Sequence, residues 1–214
     1  MEKIKSFFSQ TFRSNTIKEI NLKNYTKLQL IGKGSFGSVF LIEDKKSHDR
    51  YAAKISTIND IQASKTFLRE IDIFMKINHP TILQVKGYSL VDFNGEENPT
   101  LLTVYQPNGS LHNLLNLESR GLAPPEWDIT RKYITIYGIA RGMKYLHKEA
   151  CIHRDLKPAN ILLTDRLFPQ IADFGLAKWY NIEDSSDLSI CGTPLYAAPE
   201  ILSGKSTYDE SIDV

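Results

Sequence analysis

The feature that most limits what this chain can fold into is a glycine-rich turn with extended segments on both sides. Leu28-Gln29-Leu30-Ile31 leads into Gly32-Lys33-Gly34-Ser35-Phe36-Gly37, and Ser38-Val39-Phe40-Leu41 follows. Gly-x-Gly-x-x-Gly occurs in two settings: one opens a helix straight after the last glycine, the other turns between two strands. The run after Gly37 is β-branched and aromatic, so the spacing predicts a hairpin and argues against a doubly wound parallel domain starting here. Glycines at 32, 34 and 37 would let backbone amides approach an anion without a side chain in the way.

The rest of the chain reads as strands first and helices later. Tyr51-Ala52-Ala53-Lys54-Ile55 predicts a strand, and Lys65 to Ile77 a helix with apolar residues at Phe67, Ile71, Phe74, Met75 and Ile77 and with Glu70 on it. Strands near Leu83 to Val91 and Thr100 to Tyr105 are joined through Asn94-Gly95, a hairpin-type turn signal. Trp127 to Lys148 predicts a long helix with Ile136, Ile139, Ala140, Met143 and Leu146 on one face, and with Gly138 and Gly142 permitting close packing. The class is therefore α+β. Residues 1–24 read as an extension before the domain: Phe7, Phe8 and Phe12 with Ile17 and Ile20 suit a leader, or else a short amphipathic helix packed on the domain.

Charge and cysteine content remove several classes of partner. Lys plus Arg number 26 against 25 Asp plus Glu in 214 residues, a net charge of +1, which argues against a nucleic acid or a membrane as the main partner. No apolar stretch approaches the ~18 residues of a spanning helix. Two cysteines, Cys151 and Cys191, suit a reduced, cytoplasmic protein.

Chemistry is concentrated in His153-Arg154-Asp155-Leu156-Lys157-Pro158-Ala159-Asn160. An Asp and an Asn five positions apart in a lysine-containing loop can hold a hydroxyl nucleophile and a magnesium ion about a transferring phosphoryl group. Asp173-Phe174-Gly175 follows thirteen residues after Asn160, and Ala198-Pro199-Glu200 closes the next segment. A lone loop aspartate is ordinarily a turn former and a lone strand lysine a solvated charge; that account is poor for all of these residues in register. Together they resemble the eukaryotic protein kinase family over roughly residues 25–214.

The resemblance implies a bilobal fold, with a β-rich N-terminal lobe over about 25–104 and a mainly helical, incomplete C-terminal lobe over about 105–214. It implies ATP and Mg2+ as cofactors. Ile31, Gly32, Lys33, Gly34, Ser35, Phe36 and Gly37 would lie over the phosphates, with Val39, Ala52 and Leu162 about the adenine. Lys54, held by Glu70, would grip the α- and β-phosphates. Thr103 would stand at the back of the adenine pocket, and the backbone of Val104 and Gln106 would meet the adenine edge. Asp155 would orient the substrate hydroxyl, Lys157 would neutralise the γ-phosphate, and Asn160 and Asp173 would bind the metal. Thr193 would bond the catalytic Asp and Lys, and Asp213 would anchor the loop from below. Lys157 with Gly192-Thr193-Pro194-Leu195-Tyr196 resembles serine/threonine kinases, and the text Gly142 to His147 their tyrosine-kinase-like branch.

The substrate implied is a protein serine or threonine. Asn181 to Ser189 has the composition of a phosphorylatable loop; Arg154 would present an unpaired guanidinium beside Asp155, with Lys178 as a second basic group. Ser189, four residues before Thr193, would be phosphorylated by an upstream activating kinase or by the chain itself. Cys191 has no basic activator adjoining it in sequence, so a redox role is not expected. Ser211-Ile212-Asp213-Val214 resembles the start of the central helix of the C-terminal lobe, so a C-terminally truncated kinase is expected. The other class is a non-catalytic kinase-like module that binds nucleotide or a partner; such modules usually lack a residue among Lys54, Asp155 and Asp173, and all three are present.

Overall fold

The computed structural model describes residues 17–34, 37–57, 61–180, 192–203 and 209–214, of which 61–64 by backbone alone. Phe7, Phe8 and Phe12 lie outside the described residues. The chain divides into two compact units, Met1–Lys76 with Gln84–Tyr105, and Ile77–Leu83 with Gln106–Val214.

Among the described residues, the first unit is a six-stranded sheet with one α-helix. Its strands are β1 (Lys18–Glu19), β2 (Tyr25–Gly34), β3 (Gly37–Asp44), β4 (Arg50–Ser56), β5 (Val85–Ser89) and β6 (Thr100–Val104), in the order β1-β5-β6-β4-β3-β2. The glycine-rich turn joins β2 to β3 as an antiparallel hairpin, as expected. Strand β1 was not expected. It lies parallel to β5, and Ile17 and Leu22 beside it are buried, so Ile17 and Ile20 belong to the sheet edge and not to a helix. Gly87 makes the room: a Cβ there would stand 2.6 Å from the Ile20 side chain. Helix α1 (Ile61–Lys76) starts four residues before the apolar spacing does and buries Phe67, Ile71, Ile73 and Phe74. Asn94-Gly95 lies within a ten-residue connection, where the Asp92 carboxylate accepts the backbone N–H groups of Asn94 at 2.8 Å and Glu96 at 3.1 Å.

The second unit is mainly helical. Helix α2 (Leu111–Ser119), absent from the sequence reading, is capped by the Ser110 hydroxyl, and α3 (Ile129–Lys148) by the Asp128 carboxylate, which accepts from the Arg131 N–H at 2.7 Å. Two small antiparallel sheets follow, β7 (Cys151–Ile152) with β10 (Lys178–Trp179), and β8 (Ile161–Leu163) with β9 (Pro169–Ile171). A short helix α4 spans Pro199–Leu202. Residues 77–83 belong to this unit because β9 holds them: Ile171 N–H donates to the Thr81 carbonyl at 2.8 Å, and Leu83 N–H to the Ile171 carbonyl at 2.9 Å.

The buried stripe of α3 is Thr135, Gly138, Gly142, Met143 and Leu146, which corrects the expected apolar face: Ala140 is exposed and Ile136 is 65% exposed. The reason is steric. β9 approaches the middle of the helix where it has no side chains, so there the two glycines mark the inward face, while Met143 and Leu146 are buried as expected. A Cβ on Gly142 would lie 2.5 Å from Thr81 Oγ1 and 2.6 Å from Ile171 Cδ1. On an exposed helix Gly→Ala stabilises by roughly 1 kcal/mol; here overpacking reverses the sign, and Gly142→Ala should cost about 1–3 kcal/mol, seen as a lower Tm. A raised Tm would show that the approach is not this close.

Candidate active site

In the first unit, the strand register collects the residues singled out from the sequence. Val39 stands opposite Lys54 on β4, and Ala52 opposite Thr103 on β6. Directly paired residues share a face, as do residues two apart, so Val39, Ala52, Lys54 and Thr103 all lie on one side of the sheet. Glu70 on α1 clasps Lys54: Nζ donates to Oε1 at 2.9 Å and to Oε2 at 2.8 Å. Asp72, the competing carboxylate two residues on, is occupied by Lys76 at 2.8 Å. The Glu70 side chain is only 4% exposed, so water does not compete for its bonds to Lys54.

The three glycines of the turn are not equivalent. Gly37 has φ of 144° and a Cβ there would fall 2.0 Å from the Ile55 carbonyl oxygen, so the hairpin itself demands glycine. Among the described residues, nothing lies within 4 Å of a Cβ on Gly34, and one on Gly32 would make ordinary contact with Val39. Packing within the unit therefore does not account for glycine at 32 and 34. Ile31 and Lys33 are on β2, Ile31 being exposed; Ser35 and Phe36 lie outside the described residues. Val104 ends β6, its N–H donating to the Gln84 carbonyl at 3.0 Å.

The second unit carries the Asp155 loop. Oδ1 accepts from the Thr193 N–H at 3.0 Å and the Thr193 hydroxyl at 2.8 Å. Oδ2 accepts from Lys157 Nζ at 2.6 Å and Asn160 Nδ2 at 3.0 Å. Lys157 also reaches Thr193 Oγ1 at 2.6 Å, so the three residues close a ring of bonds about the carboxylate, as expected for Thr193. Gly192 allows this approach: its φ is 99°, and a Cβ would fall 2.6 Å from the Arg154 carbonyl oxygen.

Below the loop, Asp213 is 1% exposed and accepts the N–H of His153 at 2.7 Å and of Arg154 at 2.8 Å, with His147 Nε2 at 3.0 Å. Arg154 corrects one expectation. Its guanidinium does not stand unpaired, since Nε donates to the Leu176 carbonyl at 2.7 Å. Its φ of 65°, like that of Asp173 at 63°, is left-handed, a conformation that the surrounding bonds must hold. Lys178 lies on β10, paired with Ile152. Ser189 and Cys191 lie outside the described residues.

Magnesium prefers hard oxygen ligands and few of them from protein. Asn160 gives both its described Nδ2 bonds to Asp155, to the carbonyl at 2.9 Å and to Oδ2, which directs its Oδ1 elsewhere. The Ala172 N–H donates to the Asn160 carbonyl at 2.8 Å and so ties the residue before Asp173 to Asn160. An amide oxygen and a carboxylate are donor types that suit that ion. Leu162 is half-buried on β8. Gln106 is buried, its side chain bonded to Gln170 at 2.5 Å.

The model of the protein kinase domain matches residues 25–214. The chain belongs to the protein kinase domain family. It is 33% identical over 210 residues to an Aurora kinase of Patiria pectinifera, covering 95% of this chain and 49% of that protein. It is 36% identical over 187 residues to the serine/threonine-protein kinase polo of Drosophila melanogaster, covering 86% and 31%. Against the probable serine/threonine-protein kinase PBL7 of Arabidopsis thaliana it is 36% identical over 183 residues, covering 83% and 47%. The chain thus spans about a third to a half of the length of these relatives. Among the described residues, no helix is long and apolar enough to cross a membrane.

His153 was quoted in the motif but given no role, and the fold gives it one. It is fully buried; its Nδ1 accepts from the Asp155 N–H at 3.3 Å, so Nε2 carries the proton and donates to the Ala172 carbonyl at 3.1 Å. Burial pushes its pKa down from 6.5, against the pull of Asp213, so the ring is neutral. A base whose folded pKa is depressed takes up protons more readily when unfolded. Its contribution to stability is complete above the ordinary value of 6.5 and is lost as pH falls through it. The Tm should therefore fall between about pH 7.5 and about pH 5.5, with a shallower slope in a His153→Gln chain; equal slopes would mean that the imidazole is not the group responsible.

Proposed function

We propose that this chain carries the catalytic machinery of an ATP-dependent protein serine/threonine kinase. The observation that carries the reading is the Asp155 carboxylate, held on one oxygen by Thr193 and on the other by Lys157 and Asn160. A carboxylate fixed in this way can accept the proton of a serine or threonine hydroxyl as its oxygen bonds the γ-phosphorus and the bond to ADP breaks. Lys157 supplies positive charge to the transferring group. Magnesium, when bound, neutralises and orients the phosphates; Asn160 and Asp173 would hold it. In the first unit, Lys54, preset by Glu70, would grip the α- and β-phosphates. Ile31 to Gly37 would cover them, the open space at Gly34 suiting backbone approach. Of the adenine contacts, the first unit would supply Val39, Ala52, Thr103 and Val104, and the second Gln106 and Leu162. A cytoplasmic setting and a role in signalling follow from this reading.

Phosphate transfer from radiolabelled ATP with magnesium to a generic basic protein tests it. Phosphoserine or phosphothreonine should appear, and Asp155→Ala should lower the rate at least ~100-fold. Transfer undiminished in that variant would refute the role of Asp155. Phosphorylation of Ser189, by an upstream kinase or by the chain itself, would raise activity. Ser189→Ala should remain at its basal rate under conditions that activate the parent chain; equal activation of both would refute this.

A further inference from the structure

The strand that delivers Asp173 also makes a bond that the catalytic assignment does not use. Gln170 is the middle residue of β9, three positions before Asp173, and stands directly opposite Leu162 on β8. Its Oε1 accepts from Gln106 Nε2 at 2.5 Å, and its Nε2 donates to the Pro80 carbonyl at 3.4 Å. Gln106 is 7% exposed. All four residues lie in the second unit. The strand itself cannot drift, since Ile171 exchanges backbone bonds with Thr81 and Leu83, and the Ala172 N–H is tied to Asn160.

We propose that Gln170 is a positioning residue for base recognition: by clamping the Gln106 side chain it fixes the backbone N–H of Gln106 that meets the adenine edge. The inference rests on the proposed placement of adenine at Gln106 and Leu162. Its physical basis is preorganisation. A backbone N–H held by a buried amide pair loses little freedom when a base docks, and it stays aimed at an acceptor. Adenine presents an acceptor at N1, whereas hypoxanthine carries a hydrogen there. A rigid N–H therefore favours ATP over inosine triphosphate, and a loosened one discriminates less.

The test uses the 214-residue chain, with dissociation constants for ATP and inosine triphosphate measured by displacement of a fluorescent ADP, alongside kcat, KM and Tm. Gln170→Ala and Gln106→Ala should each raise the ATP dissociation constant about 5-fold, as loss of one hydrogen bond would, and narrow the ratio between the two nucleotides. The kcat of Gln170→Ala should stay within about 2-fold of the parent, since its side chain bonds Gln106 and Pro80 and not the Asp155 loop. Gln170→Glu retains an acceptor for Gln106 Nε2 and should restore both affinity and discrimination. The proposal is overturned if Gln170→Ala discriminates as the parent does, or if Gln170→Glu and Gln170→Ala lose affinity equally. Loss of discrimination in Gln170→Ala but not in Gln106→Ala would also overturn it. A parent chain whose nucleotide binding is absent, or indifferent to Lys54→Met, overturns the placement of the nucleotide as well; normal Lys54-dependent binding with an inert Gln170 overturns this inference alone.

Discussion

The Asp155 loop depends on one buried carboxylate. Asp213 stands about sixty positions from the residues it holds, yet it accepts the N–H groups of His153 and Arg154 and lies against His147. A carboxylate at 1% exposure is costly unless its oxygens are filled, and two backbone donors plus an imidazole fill them. Those bonds hold Arg154 in a left-handed conformation, and the turn there presents Asp155 to Thr193, Lys157 and Asn160. His153 completes the support from within, its neutral ring bridging the Asp155 N–H and the Ala172 carbonyl. Breaking the Asp213 contact would therefore relax the loop carrying Asp155 and, through Ala172, the approach to Asp173.

The first unit solves a different problem, which is to hold a lysine ammonium in a fixed place on a sheet face. The antiparallel register of β3, β4 and β6 puts Val39, Lys54, Ala52 and Thr103 on one face, and helix α1 turns Glu70 toward that face. Burial keeps water from competing for Glu70, while Lys54 keeps partial access to water. An ammonium in this state needs little reorganisation to meet a second anion.

Much of this was legible because local chemistry and periodicity agree with the tertiary fold. The hairpin at Gly32 to Gly37, the lysine strand and the Asp155 loop are short motifs whose residue types suit only a narrow set of backbones. What was misread lay where long-range packing overrides the local pattern. Strand β1 was missed because two residues carry no periodicity, and its pairing depends on Gly87, about seventy residues away. The inward face of α3 was misplaced because hydrophobic spacing weighs large side chains, while β9 packs where side chains are absent. Arg154 looked unpaired because its partner, the Leu176 carbonyl, is a backbone atom that no residue pattern advertises.

The sequence by itself determined the α+β class, the hairpin form of the glycine-rich turn and the identity of the chemical groups: a strand lysine, a helix glutamate and a loop with Asp, Lys and Asn. Those properties reside in residue type and short spacing, which one stretch of chain specifies alone. Only the tertiary structure decided which oxygen of Asp155 faces Thr193, that His153 is a neutral Nε2–H imidazole, and that Gln170 reaches Gln106. Each of these depends on hydrogen bonds between residues brought together by β-pairing and burial, and a bond's direction and a ring's protonation are set by partners that the local sequence does not contain.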